Sequence, residues 1–187
     1  MSSRDSRLPE VLIPAEDIAR RVTELGRKLS ADYATVDVGN AGAEELVVLG
    51  VLKGAFMFLA DLVRAVSIPI VVDFVRAASY GSGRVSSGDV RIEPIAWPYG
   101  EGRDVLVVED VLDTGKTLDA VVRALEGFRP RSVKTLALLR KPEAKWPVDY
   151  VGFEIEDRFV VGYGLDDAGK WRQLPYIGVP RDGGERR

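Results

Sequence analysis

Residues 105–118, "VLVVEDVLDTGKTL", hold the groups best suited to chemistry in this chain: adjacent carboxylates at Glu109 and Asp110, a third at Asp113, then Thr114, Gly115, Lys116 and Thr117. The apolar lead-in reads as a strand and "KTLDAVVRALEGF" as a helix with Leu118, Val121, Val122 and Leu125 on one face. The acids and the glycine therefore fall at a strand-to-helix junction, where ligands of open parallel sheets bind. A nucleotide P-loop, G-x-x-x-x-G-K-S/T, would need glycine five residues before Gly115, and Asp110 stands there. An aspartic protease needs two D-T-G carboxylates in an all-β fold, and this chain has one in an α/β pattern. The plain alternative is that Glu109 and Asp110 are solvated and Asp113 or Thr114 caps the helix. Against it stands a chemical reading. Backbone amides from Thr114 to Thr117 would hold a monophosphate at the helix N-terminus, with Gly115 permitting close approach. Glu109 and Asp110 would accept hydrogen bonds from a ribose diol or face a magnesium ion. Cradle and acids together describe a sugar phosphate.

Composition narrows the rest. The chain has no cysteine and no histidine, so disulfides, thiolate sites and ordinary zinc sites are excluded. Acid–base work falls to carboxylates, lysines, tyrosines or the ligand, and a carboxylate-only metal site suits magnesium shared with phosphate oxygens. A net charge of −3 argues against nucleic acid as a partner. No apolar run is long enough to span a bilayer and "MSSRDSRLPE" lacks a signal-peptide core, so no membrane partner and a cytoplasmic location are expected.

One domain is expected over residues 8–180, with flexible termini at 1–7 and 181–187. "PAEDIARRVTELGRKLSADY" spaces Ile18, Val22, Leu25 and Leu29 as an amphipathic helix. "ELVVLGV" reads as a strand, "AFMFLADLVRAV" as a helix, and "IPIVVDFVRAAS" and "DVRIEPI" as strands flanking the loop "YGSGRVSSG". "SVKTLALLR" is one more strand. The fold class is α/β, a central, mainly parallel sheet flanked by helices. After Lys141, "VDYVGFEI" and "FVVGYGL" read as short strands of a small appendage, or hood, over one end of the sheet.

The stretch 105–118 resembles the phosphoribosyl-pyrophosphate signature of type I phosphoribosyltransferases. "GVLKGAFMFLADLVRAV", "VDFVRAASYGSG", "VDYVGFEIEDRFVVGYGLDD" and "WRQLPYIGV" resemble, in the same order, the hypoxanthine (hypoxanthine-guanine) branch of that family. The likeness runs from about Leu8 to Pro180. It implies transfer of a phosphoribosyl group from phosphoribosyl pyrophosphate to a 6-oxopurine, with magnesium as cofactor. It further implies that Thr114, Gly115, Lys116 and Thr117 bind the 5′-phosphate, Glu109 and Asp110 the ribose hydroxyls and metal, and Asp113 the purine proton. Leu52, Lys53 and Gly54 match the pyrophosphate loop, where a non-proline cis peptide is implied, and Arg172 would hold pyrophosphate as well. Lys141 matches the reader of the 6-oxo group, Phe159 the ring stacked on the base and Val160 the backbone contact to its 2-position. Asp166 would hold a second magnesium, Ser79 and Tyr80 would begin a lid, and a homodimer or homotetramer is implied.

Taken singly, Phe159 reads as a core aromatic, Lys53 and Lys141 as solvated lysines, Arg172 as a surface ion-pair partner and Asp166 as a turn residue. Their order along the chain is what favours the functional reading. Arg158 stands where the family pattern has lysine, Asp167 where it has tyrosine, and "RIEPIAWPYGEGRD" is short and rich in Pro and Trp. A regulator binding phosphoribosyl pyrophosphate and nucleic acid fits less well, the implied roles of Lys141 and Phe159 disfavour adenine and orotate, and the choice among hypoxanthine, guanine and xanthine, including a xanthine-preferring transferase, stays open.

Overall fold

Alternating apolar runs and amphipathic segments give eight strands and three helices in the computed structural model, which describes residues 8–34, 45–79 and 90–181 (backbone alone for Ala78 and Ser79). In order these are β1 (Glu10–Ile13), α1 (Ala15–Asp32), β2 (Leu46–Leu52), α2 (Phe56–Ala65), β3 (Ile70–Ser79), β4 (Val90–Ile92), β5 (Asp104–Leu112), α3 (Lys116–Glu126), β6 (Ser132–Arg140), β7 (Tyr150–Glu154) and β8 (Ile177–Val179). Residues 1–7, 182–187 and Tyr80, for which flexible ends and a lid position are expected, lie outside the described residues.

The main sheet has the order β4-β3-β2-β5-β6-β7, parallel except where β4 runs antiparallel to β3. β2 and β5 are buried almost throughout, as strands covered on both faces must be. On one face α1 and α2 close a core of Ile18, Val22, Leu25, Leu29, Phe58 and Leu62 against Leu46, Val48, Leu106 and Val108. On the other, Leu118, Val121 and Leu125 of α3 pack on Leu49, Val51, Val105 and Val107. The helices meet closely because Gly26 of α1 lies against the backbone of Ala65, where a Cβ would clash.

β2 leads through α2 to β3 on one side, and neighbouring β5 leads through α3 to β6 on the other. The chain thus leaves these two strands toward opposite faces and opens a crevice beyond their carboxyl ends, the position in which α/β sheets bind ligands.

Two sequence expectations are corrected. "VDYVGFEI" is not part of an appendage: Tyr150–Glu154 forms β7, the parallel edge strand beside β6. Its alternating exposure is that of an edge, and Arg21 of α1 covers its backbone by donating to the carbonyls of Val151 and Gly152, both at 2.8 Å. "FVVGYGL" makes only isolated bridges, including Val161 to Gly178. The hood sheet is instead the antiparallel pair β1–β8, which joins the two ends of the described chain. β1 escapes the sequence reading because four residues, three of them exposed, show no alternation.

The Pro- and Trp-rich segment is fastened away from the crevice. Trp97 stacks on Phe128 beyond α3 at 5.3 Å, and Tyr99 Oη donates to Asp73 of β3 at 2.7 Å. No helix among the described residues is long and apolar enough to cross a membrane.

Candidate active site

The segments that matter leave the carboxyl ends of four parallel strands: Lys53-Gly54 after β2, residues 113–117 after β5, Lys141 after β6, and residues 155–160 after β7. Backbone bonds continue past the strands and tie these ends together. Lys141 N–H donates to Leu112 O at 3.0 Å and Ile155 N–H to Arg140 O at 2.9 Å. Side chains distant in sequence are thereby fixed in register.

At the β5–α3 junction the capping explanation fails. Gly115, at φ +87°, is the residue before the helix, and no side chain caps it. The amides of Lys116, Thr117 and Leu118 precede the first closed bond, Asp119 N–H to Gly115 O at 2.9 Å, and Thr114 Oγ1 meets only Lys116 N–H, at 3.5 Å. These outward amides and the helix dipole form an anion cradle. Glycine is required at 115 twice over: for its left-handed φ, and because a Cβ would collide with Trp146, which packs behind the turn. Trp146 was not singled out in the sequence, since nothing local marks a residue that touches Gly115 only in the fold.

Across the crevice, the Leu52–Lys53 peptide is cis, as the resemblance implies. Gly54 lies so close to Asp110 that any Cβ would overlap its carboxylate, and Gly164 of the hood approaches the Gly54 carbonyl with the same intimacy. Arg172 anchors that approach. It donates to Gly164 O at 2.5 Å and pairs with Asp166 Oδ1 at 2.5 Å. The fold therefore joins Gly54, Asp110, Asp166 and Arg172, while Lys53 stays exposed.

The acid pair is held at a cost. Glu109 is 5% exposed, and burial first, then the neighbouring charge of Asp110, pushes its carboxyl well above the usual range, with Thr117 opposing through a hydrogen bond. Burial pushes Asp110 up to about 6, opposed by the N–H groups of Asp110 and Val111 and by Arg172, and reinforced by Asp166. Above their unfolded pKa both acids favour the unfolded chain, and for Asp110 the destabilisation grows as pH rises from its ordinary carboxylate range through about 6 and is complete above that. Asp110→Asn is expected to raise the melting temperature of the ligand-free protein, more at pH 7.5 than at pH 4.5. Equal increments at both pH values, measured calorimetrically, would contradict it.

Among the described residues, no three metal-binding side chains converge into a closed cage. Magnesium usually takes only one or two carboxylates and completes its shell with phosphate oxygens and water. Glu109 Oε2 is buried without a partner, an acceptor that a cation or a sugar hydroxyl would satisfy. The acid pair, with Asp166 nearby, fits such an ion.

Lys141 is no solvated lysine. Its side chain is 11% exposed, with Nζ 3.4 Å from Asp113 Oδ2 and 3.1 Å from Asp157 Oδ1. Asp113 is half exposed, Phe159 half-buried, and Val160 buried in the core. Arg158 pairs with Glu156 at 2.6 Å, and Asp167 closes a turn with Lys170. Ser79 ends β3. Asp157 was given no role in the sequence, although it lies within the stretch "VDYVGFEIEDRFVVGYGLDD".

Comparison with known proteins agrees with this geometry. The phosphoribosyl transferase domain family matches residues 15–168. The hypoxanthine phosphoribosyltransferase of Salmonella typhimurium is 46% identical over 172 residues, 90% of this chain and 93% of that protein. The hypoxanthine-guanine phosphoribosyltransferase of Mycobacterium avium is 44% identical over 175 residues, 92% of this chain and 85% of that one. A solved hypoxanthine phosphoribosyltransferase from Trypanosoma cruzi, in complex with its product IMP, superposes with a TM-score of 0.83 at 36% identity, covering 97% of this chain and 98% of that one.

Proposed function

Since the chain belongs to the hypoxanthine phosphoribosyltransferase family, purine-salvage enzymes that move a phosphoribosyl group from phosphoribosyl pyrophosphate to hypoxanthine or guanine, we propose how its own residues divide that work. The observation that carries the proposal is the 3.4 Å approach of Lys141 Nζ to Asp113 Oδ2. On a 6-oxopurine, O6 and N7 are adjacent on one edge, whereas adenine presents an amino donor in place of O6. A lysine beside a carboxylate matches the first: Lys141 donates to O6 while Asp113 faces N7.

In this reading the purine N9 forms a bond to the anomeric carbon as the bond from that carbon to pyrophosphate breaks. The N7 proton passes to Asp113, and the electron pair of the broken bond leaves on pyrophosphate. Phe159 covers the ring and the Val160 backbone meets its 2-position. Amides 114–117 anchor the 5′-phosphate, Glu109 and Asp110 hold the ribose hydroxyls, and Lys53, Gly54 and Arg172 receive pyrophosphate. Bound magnesium, held by Glu109, Asp110 and Asp166, supplies positive charge to the leaving group. The reaction belongs in the cytosol, in keeping with a cysteine-free chain.

Self-association is also proposed. Val72 and Phe74 of β3 are 39% and 48% exposed, Phe74 and Leu59 of α2 both border Gly50, and Phe56, one turn before Leu59, is 37% exposed. A second copy covering this stripe explains its composition, and a single-chain mass in light scattering would contradict that.

The role of Lys141 is tested by Lys141→Met. Leaving a buried polar group opposite the wrong partner typically costs about 10²-fold or more in discrimination. The variant is expected to lose most of the preference for hypoxanthine over adenine while binding phosphoribosyl pyrophosphate as before. An unchanged preference would remove Lys141 from base reading.

A further inference from the structure

An ammonium has three N–H donors. On Lys141 two are engaged by carboxylates, and the two contacts are unequal. Asp157 Oδ1 lies at 3.1 Å, within ordinary hydrogen-bond range, and Asp113 Oδ2 at a loose 3.4 Å. The acids also differ in setting. Asp113 stands on the turn after β5 with its side chain 52% exposed, while Asp157 is 33% exposed in the segment after β7. That segment is held by its backbone: Ile155 N–H extends the bonding between β6 and β7 to Arg140 O, and Arg158 N–H closes a turn onto Glu156 O at 2.7 Å. Asp157 is thus placed by the sheet, two residues before Phe159.

Without Asp157, Coulomb attraction in this shielded position would draw the ammonium onto Asp113. Drawn into that single ion pair, the ammonium would shift off the position that faces the purine 6-edge and would cover the carboxylate meant for the N7 proton. We infer that Asp157 is a positioning residue that holds the Lys141 ammonium off Asp113, leaving a donor directed at the purine 6-position and Asp113 open toward N7. It thereby governs selection of 6-oxopurines without touching the base. This rests on the functional reading above and deepens it. The segment carrying Asp157 continues into Phe159, so the edge reader and the ring cover share one support.

Asp157→Asn, nearly isosteric, tests the inference in the full-length protein. Losing a charge-assisted hydrogen bond to a partly shielded ammonium is expected to raise KM for hypoxanthine about tenfold. KM for phosphoribosyl pyrophosphate should change by less than about twofold, because the two sites do not share this contact. Asp157→Glu, which keeps the charge on a longer arm, should recover part of the loss, and it keeps the test open should the Asn variant fold poorly. Two further readouts separate positioning from mere scaffolding. Unsubstituted purine, which lacks O6 but keeps N7, should lose clearly less inhibitory affinity in Asp157→Asn than hypoxanthine does. In the Lys141→Met background, adding Asp157→Asn should leave hypoxanthine KM unchanged. Parallel weakening of purine and hypoxanthine, or an additive effect in the double variant, would overturn the inference. A wild-type protein that releases no pyrophosphate with hypoxanthine would instead defeat the functional reading on which it rests.

Discussion

Asp113→Asn is expected to reduce phosphoribosyl transfer by roughly 10²- to 10⁴-fold, the usual worth of a positioned general base, while phosphoribosyl pyrophosphate still binds. The split follows from placement. Asp113 projects from the turn after β5, half exposed and in contact with Lys141, whereas the groups proposed for phosphate and ribose lie in the adjoining amides and in the acids of the strand itself. Asparagine keeps the shape and can still accept from Lys141, but it cannot take a proton from N7. The measurement is paired: turnover with saturating substrates, and binding of phosphoribosyl pyrophosphate by calorimetry. Retained turnover would take Asp113 out of the chemistry, and lost binding would place it among the phosphate ligands.

Gly54→Ala should be nearly as damaging, for a steric reason. The new Cβ would overlap the Asp110 carboxylate, and the Gly54 carbonyl already bears on Gly164 from the other side. The β2–α2 turn is therefore clamped and cannot retreat, so Asp110 must give way. Moving it breaks its bonds to the N–H groups of Asp110 and Val111 and displaces one of the acids proposed to hold ribose and metal. A misplacement of this size is expected to cost about 10²-fold in kcat/KM. Because the collision is with a side chain at the edge of a crevice and the core beneath is untouched, the melting temperature should fall by only a few degrees. Activity close to wild type would show that Asp110 and Gly54 need not meet.

The sequence exposed the parts of this site that are local. A run of β-branched residues, three acids, a glycine with positive φ and an amphipathic helix occupy consecutive positions between 105 and 126, and each follows from its neighbours. The parallel core was equally legible, because strands buried on both faces must be apolar throughout. Contacts between distant strand ends were not. Gly54 against Asp110, Trp146 behind Gly115 and Asp157 on Lys141 depend on which strands are neighbours, and no spacing in the chain encodes that. β7 was misplaced for a related reason: with no helix between Arg140 and Tyr150, nothing in the sequence marks a crossover, yet the loop suffices to return the chain parallel to β6. β1 was missed because its order comes from pairing with β8 at the far end of the chain, not from its own four residues.

Both acids of the Glu109-Asp110 pair are kept in an environment that disfavours their charge. Acids perturbed in this way cluster at functional sites. The pair here agrees with a site whose ligand brings the compensating groups, ribose hydroxyls and a cation.

The central claim, that Lys141 and Asp113 together select a 6-oxopurine and assist its transfer, meets its most direct test in magnesium-dependent pyrophosphate release from phosphoribosyl pyrophosphate. The assay should be run in parallel with hypoxanthine, guanine, xanthine and adenine. Release with hypoxanthine or guanine and none with adenine is the predicted result. Release with adenine at a comparable rate, or no release with any base despite tight binding of phosphoribosyl pyrophosphate, would contradict it.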